Sequence, residues 1–522
     1  MPPSRRLDSP SPGLSLARLT MLAVLAVTPA CGDDGAAGPD AAPGPYDDPG
    51  DFPRDGCAPG TLADLVGRTA PAILHLEVRY PDYPRFIGST ALRLDPSAGG
   101  GAAFTALLAG EPAEVRTSSA DDLVVRQTFA DGTGVRALDL CGRDAAGELR
   151  GHYVLCRDGE CLAATVRGKV VERLAESEAS GLALLGEHGG RAAWPGGITV
   201  NVRVLADVAY LANYGDGLRL VDVRDPAAMS DLGHLPVEYP DAGEIYNDVK
   251  LVTRASDGRR FALMASNRVG VVVVDVSTPA APTIAAHFGT PANGETAINV
   301  HTLALVGTRA YLGNPGVGLE IWDVADPATP VLLGLWSHPS GEGYLHDLYV
   351  VGDRAYLAYW DAGLQVLDVA APATPRLLGT YVDYGELTSH SVWTAPVGGR
   401  TLAVHGDEQY GAHLRVVDVT EDAAFLTELG QWQTRPEVSI HNLMIDGELA
   451  LAAHYQDGVR VIDLGNPRAP TTRAWFNTWP GPAAGYGESF YEGAVGIDYE
   501  PGRRRLYVAD SHRGLLVLAL AP

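Results

Sequence analysis

Residues 363–375 read Gly363-Leu-Gln-Val-Leu-Asp368-Val-Ala-Ala371-Pro-Ala-Thr-Pro375. A glycine opens an apolar run of strand length, an aspartate closes it, and two prolines follow. Proline cannot donate to a sheet ladder, so it ends the strand and sets the turn. The phrase recurs as Gly217-Leu-Arg-Leu-Val-Asp222, Gly270-Val-Val-Val-Val-Asp275, Gly318-Leu-Glu-Ile-Trp-Asp323, His413-Leu-Arg-Val-Val-Asp418 and Gly458-Val-Arg-Val-Ile-Asp463. The six aspartates are 45 to 53 residues apart, and a last copy, Gly514-Leu-Leu-Val-Leu-Ala-Leu520, lacks the aspartate. The repeated aspartate is expected to accept bonds from turn N–H groups, a structural role.

Each repeat holds four strand-like runs. In residues 346–380 these are His346-Asp-Leu-Tyr-Val-Val, Arg354-Ala-Tyr-Leu-Ala, Leu364-Gln-Val-Leu-Asp-Val and Arg376-Leu-Leu-Gly-Thr-Tyr. Four strands in about fifty residues is the period of a β-propeller blade. First strands are expected near Val200, Asn247, His301, His346, His390, His441 and Glu492, which makes seven blades. The chain ends after the third strand of the last repeat. Leu182-Ala-Leu-Leu-Gly-Glu-His188 fits the fourth-strand pattern, so it is expected to close the ring and remove its free edges.

The Gly-Leu-x-Val-Val-Asp-Val-x-x-Pro-x-x-Pro pattern resembles the LVIVD-repeat family over the last two thirds of the chain. The resemblance implies an exported bacterial or archaeal β-propeller. It speaks to fold and leaves activity open, because function lives in sites grafted onto folds. The fold class is therefore all-β, a seven-bladed propeller over residues 181–522 preceded by a small antiparallel β domain over 57–180. In the small domain, runs such as Ala72-Ile-Leu-His-Leu-Glu-Val point to a sandwich or small barrel. His75 and His152 are isolated there, and structural roles are expected for both.

Upstream, Arg5, Arg6 and Arg18 precede the apolar run Leu19–Val27, too short for a permanent membrane span. Thr28-Pro29-Ala30-Cys31 then resembles a bacterial lipoprotein signal in which Cys31 is lipidated, although Thr28 stands where that motif usually has leucine. The expectation is a signal peptide over 1–30, with envelope anchoring through a lipid on Cys31 and ordinary secretion as the alternative. Residues 31–56, rich in Asp, Pro and Gly, read as an acidic tether that cannot bury a core. Of the remaining cysteines, a hairpin across Cys156-Arg-Asp-Gly-Glu-Cys161 favours Cys156–Cys161. Cys57–Cys141 follows by elimination, with other connectivities and a four-cysteine metal site left open.

The 522 residues carry 64 Asp plus Glu against 39 Lys plus Arg, a net charge of -25. Nucleic-acid binding needs clustered basic residues and is not expected. No GxSxG, HExxH, P-loop or Rossmann glycine motif occurs. The chemistry lies instead in the histidines. Aligned first strands place His301, His346, His390 and His441 at one position in four consecutive blades, with Glu492 in the seventh. Those strands line a propeller's channel. The loop between second and third strands adds Asp361, His405, Asp407, Glu408, His454, Asp457, Asp510 and His512 on the same face.

Two functions are compatible with this pattern. One is an envelope-anchored binding or interaction module, a monomeric propeller that takes a protein or small-molecule ligand at its histidine-rich mouth. The other is a metal-dependent enzyme using one ion (Zn, Fe, Cu, Mn or Ni) held by His301, His346, His390, His441, Glu492, His405 and His454. Repeats also reuse residues for packing, so a purely structural ring is a third possibility. His188, His234, His287 and His338 fall near fourth strands, where surface or packing roles are expected.

Overall fold

The computed structural model describes residues 45–81, 87–97, 104–292, 295–341, 344–382 and 388–522. The signal segment, Cys31 and most of the tether lie outside them. Two bodies of β-structure follow one another: a closed eight-stranded antiparallel barrel, and seven sheets arranged as propeller blades.

The barrel runs from Ala72–Arg79 to Glu160–Val170, and its first strand pairs with both the second and the eighth. Alternate residues point inward. Leu74, Leu76, Leu92, Leu94, Leu123, Leu138 and Leu140 fill its interior. Cys57–Cys141 and Cys156–Cys161 are both formed. The tether is more folded than its composition suggests. Tyr46 and Phe52 pack on the barrel's outer face against Val124, Ala137 and Val154, and Arg54 reaches Asp122 and Asp139. Two aromatic side chains are enough to dock a stretch that Asp, Pro and Gly would otherwise keep extended.

Blade 4 shows how each repeat folds. Its strands are Leu345–Val351, Arg354–Tyr359, Gly363–Asp368 and Arg376–Tyr381, each paired antiparallel with the next. Second and third strands are buried on both faces because neighbouring blades stack against them. One cluster joins Tyr210, Leu218 and Leu220 of blade 1 to Tyr246, Met264, Val272 and Val274 of blade 2. This explains why third strands read as unbroken apolar runs such as Val271–Val274. Fourth strands, on the rim, alternate: Thr283–Phe288 is exposed at every second residue.

The repeated aspartate performs its expected role in all six copies. Asp222, Asp275, Asp323, Asp368, Asp418 and Asp463 each accept the backbone N–H two residues on, at 2.8 to 3.1 Å. The proline turn that follows packs on the preceding blade. A Cβ on the fourth-strand glycines Gly233, Gly334 and Gly430 would overlap the carbonyl oxygens of Pro279, Pro372 and Pro467. Where a fourth strand carries Leu-Gly, as in blades 1, 3, 4 and 5, the glycine is thus the mould of the next blade's turn.

The ring closes as the repeat pattern predicts. Leu182–His188 pairs antiparallel with Gly514–Leu520, Leu182 opposite Leu520. Gly186 faces the carbonyl of Pro226 in blade 1, repeating the same mould across the closure. Ala179–Ser180 adds a short fifth strand to blade 6.

Candidate functional site

A strand alternates its faces, so one residue in two should face the channel. The first strands break this rule at their inner ends. The register shifts between Tyr246 and Asp248, between Leu345 and Asp347, and between Ser389 and Ser391. Each bulge leaves one residue unpaired (Asn247, His346, His390) and re-aims its side chain. Blades 1 and 7 carry the same bulge at Val200 and Val495. His301 and His441 stand just before their strands, their N–H groups donating to Gly313 and Ala453 carbonyls, both at 2.9 Å. The ring therefore reads Val200, Asn247, His301, His346, His390, His441, Val495. Glu492 falls three residues short of the seventh position. Its carboxylate instead accepts the N–H groups of Gly487, Glu488 and Ser489 at 2.7, 2.8 and 3.1 Å.

The four imidazoles form a continuous arc. Ring centroids lie 4.2 Å apart for His301 and His346, 4.1 Å for His346 and His390, and 4.5 Å for His390 and His441. Burial and mutual repulsion hold His346 and His390 well below the usual imidazole range. Burial brings His301 and His441 down to about 4, with repulsion from His301 adding to it at His441. All four are neutral at pH 7 and carry lone pairs.

Glu408, just past the second strand of blade 5 (Arg400–Asp407), completes the cluster. Its Oε2 is 3.3 Å from His390 Nε2 and its Oε1 is 3.6 Å from His441 Nε2. The Tyr455 hydroxyl donates to the same carboxylate. Burial pushes Glu408 up to about 8. Ligand atoms of His346, His390 and Glu408 lie within 4.8 Å of one another. His346 Nδ1 and both nitrogens of His390 make no hydrogen bond among the described residues. Buried polar groups seldom stay unpartnered without a reason.

The arc's ends are fixed differently. His441 Nδ1–H donates to the Val495 carbonyl at 2.7 Å, which leaves the Nε2 lone pair facing Glu408. His301 Nδ1 accepts from the Asn247 amide at 3.2 Å and the Tyr344 hydroxyl at 3.1 Å, so its proton sits on Nε2. His301 thus frames the cluster.

Other predicted residues lie elsewhere. His405 is locked inside blade 5, Nδ1 against the Ser391 carbonyl at 2.8 Å and Nε2 beside Ser389 Oγ at 3.3 Å. His454 packs on Trp432 and meets Thr434 Oγ1 at 3.3 Å. Neither lines the channel cavity. Their second strands are buried on both faces, so their side chains serve the blade. Asp407, Asp457 and Asp510 accept turn N–H groups, hydroxyls or arginines. His512 stacks on Tyr486 at 4.2 Å, 3.9 Å from Glu492. Glu408 was visible in sequence as one more loop carboxylate; nothing in its local pattern separated it from Asp407.

The barrel covers this mouth. Outward residues of its first two strands touch the propeller: His75 Nδ1–H donates to the Glu437 carbonyl at 2.6 Å, Ser89 to Gln409 at 2.6 Å, and Arg93 to the Ala483 carbonyl at 2.6 Å. His75 is a wedge between the two bodies, and burial lowers it to about 3. His152 braces Asp55 at 2.8 Å. Between barrel and propeller lies a cavity of about 1590 Å3, lined by the arc, Glu408, Tyr344, Trp360 and Tyr455.

Among curated proteins, no sequence matches the chain. Two solved structures are similar at 10% identity. One is the computationally designed Ika8 protein (TM-score 0.43, covering 64% of this chain and 98% of that one). The other is U3-55K (TM-score 0.47, 67% and 100%). The LVIVD repeat matches residues 196–234, 260–290 and 342–383, which fall in blades 1, 2 and 4. The chain carries LVIVD repeats, and its seven sheets with their recurring aspartate turns form a seven-bladed β-propeller.

Proposed function

We propose that this protein is a ligand-binding module whose channel mouth holds one transition-metal ion through His346, His390 and Glu408, with His441 Nε2 as a fourth donor. The observation that carries this reading is the set of unpartnered imidazole nitrogens converging on a carboxylate inside a covered cavity. Two histidines and a carboxylate with open positions suit Fe(II), and the same donors suit Zn, Cu, Mn and Ni. When bound, the ion supplies a Lewis-acidic point to which a ligand's donor atom attaches. Tyr455 fixes Glu408, the Val495 carbonyl fixes His441, and the aromatic walls of Tyr344, Trp360 and Tyr455 exclude water from the bound ligand.

The test is elemental analysis of untagged protein, as purified and after reconstitution. About one transition-metal ion per chain is expected, lost in His390→Ala and His346→Ala and kept in the rim variant His234→Ala. Absence of stoichiometric metal after reconstitution, or equal metal in His390→Ala, contradicts the reading. We also propose that the protein works outside the cytoplasm, anchored through Cys31. Two disulfides support the compartment, and the mass of the mature N-terminus tests the anchor.

A further inference from the structure

The barrel contains a charge that no carboxylate among the described residues answers. Arg136 lies on the strand Gly134–Arg143, in step with Leu138 and Leu140, so its side chain points into the barrel. It is 8% exposed. Its guanidinium sits over the Phe129 ring, 5.7 Å from the centroid. Among the described residues no carboxylate pairs with it, and its Nε has no hydrogen-bond partner. A buried cation without a counter-charge is costly, and native proteins avoid one unless something else pairs it.

The neighbours are polar in the same incomplete way. Gln127 stands directly opposite Arg136 in the ladder. It points inward in step with Leu123 and Val125, and its Oε1 is unpartnered. Thr90, inward in step with Leu92 and Leu94, has an unpartnered Oγ1. Each is 6% exposed. Tyr80 and Tyr153 flank them. All five line the large cavity at the end of the barrel where its apolar filling stops. An eight-stranded barrel is just wide enough to hold one small ligand where side chains leave room.

We infer that the open end of the barrel is a binding site for a small organic carboxylate with an apolar body. The carboxylate takes the fork of Arg136 through two parallel N–H···O bonds. The Thr90 hydroxyl donates a further bond. Gln127, whose amide can turn either way, meets the remaining oxygen. The body of the ligand lies against Ile87, Phe129 and Tyr153, on the path toward the propeller mouth. The site does not rest on the metal reading, because none of its residues belongs to the histidine arc.

The probe is 2-naphthoate, with 2-naphthamide as its neutral counterpart of equal size, titrated calorimetrically into the full-length mature protein treated with EDTA. One naphthoate per chain is expected, bound at least tenfold tighter than the amide. Arg136→Met removes that preference, and its melting temperature is equal to or above wild type because an unpaired buried charge is gone. If Arg136→Met does not fold, Arg136→Lys keeps the charge without the fork and loses at least threefold. In His390→Ala, naphthoate binding is unchanged. Failure of naphthoate to bind, equal affinity for the amide, unchanged affinity in the Arg136 variant, or loss in His390→Ala overturns the proposal.

Discussion

His390 Nε2 lies 3.3 Å from Glu408 Oε2, inside the propeller channel and beneath the barrel. The two residues come from adjacent strands of one blade. His390 sits at the bulge of the first strand, and Glu408 follows the end of the second. Replacing the carboxyl by an amide takes away one donor and, among the described residues, the one group of the cluster that can give a metal a negative charge. Glu408→Gln is expected to weaken metal binding by at least tenfold. Tyr455→Phe, which frees the carboxylate from its hydroxyl partner, weakens it by about ten- to a hundredfold. Competition with a chromophoric chelator measures both. Wild-type affinity in both variants contradicts the assignment.

Stability should depend on pH in a defined direction. His75, His301, His346, His390, His405, His441 and His454 are all depressed by burial, to about 3 or 4 where a value is resolved. The unfolded chain takes up these protons near pH 6.5 while the folded chain does not. Their stabilisation is complete above pH 6.5 and is lost as pH falls toward 4. Raised acids work the other way. Glu408 (about 8), Glu492 (about 7), Asp347 (about 6) and Asp139 (about 6) contribute stability at low pH that is lost as pH rises through those values. The metal-free protein is therefore most stable near pH 7, where the protons the unfolded histidines still take up balance those that Glu408 and Glu492 still hold. Below that the histidines outnumber the acids, and each net proton removes up to about 1.4 kcal/mol per pH unit. Urea midpoints at pH 4.5, 5.8 and 7 check this and should rise in that order; a flat profile contradicts it.

Ring closure rests on a glycine. Gly186 packs against the Pro226 carbonyl, with no room for a Cβ, whereas Gly502 has open space around its Cβ direction. Gly186→Ala is expected to cost about 1–3 kcal/mol, the range for overpacking, while Gly502→Ala stays within about 0.5 kcal/mol of wild type. Thermal unfolding compares the two.

The disulfides differ in the loops they close. Cys57–Cys141 spans 84 residues and Cys156–Cys161 spans 5. The chain-entropy relation gives about 4.5 kcal/mol for the first and about 2 kcal/mol for the second. The double variant Cys57→Ala/Cys141→Ala should lose more stability in urea than Cys156→Ala/Cys161→Ala. The reverse order contradicts the view that the long loop is the main staple of the barrel.

Much of the fold could be read from residues. The Gly-to-Asp phrase marks third strands, the Leu-Gly pattern marks fourth strands, and the match of Leu182–His188 to the latter reveals the closure. These signals are local, so sequence carries them. The site is different. His301, His346, His390 and His441 are in register because a repeat preserves register, and that was legible. Glu492 was misaligned because the first strand of blade 7 starts only at Ala494, with Val495 at its bulge, and the carboxylate two residues before that strand was taken for the ring position. His405 and His454 were expected at the mouth because second strands end there, yet both-face burial turns their rings into the blade. Glu408 and Arg136 owe their importance to what faces them across strands, which no single run of residues displays.

The claim that matters most is that His346, His390 and Glu408 form one metal site. Diffraction from metal-reconstituted crystals, recorded at the absorption edge of the added ion, addresses it directly. A single anomalous peak is predicted at roughly 2.0–2.2 Å from a nitrogen of His346, a nitrogen of His390 and an oxygen of Glu408. A fully reconstituted crystal with no peak there, or with its peak at surface histidines such as His188 or His234, contradicts the account.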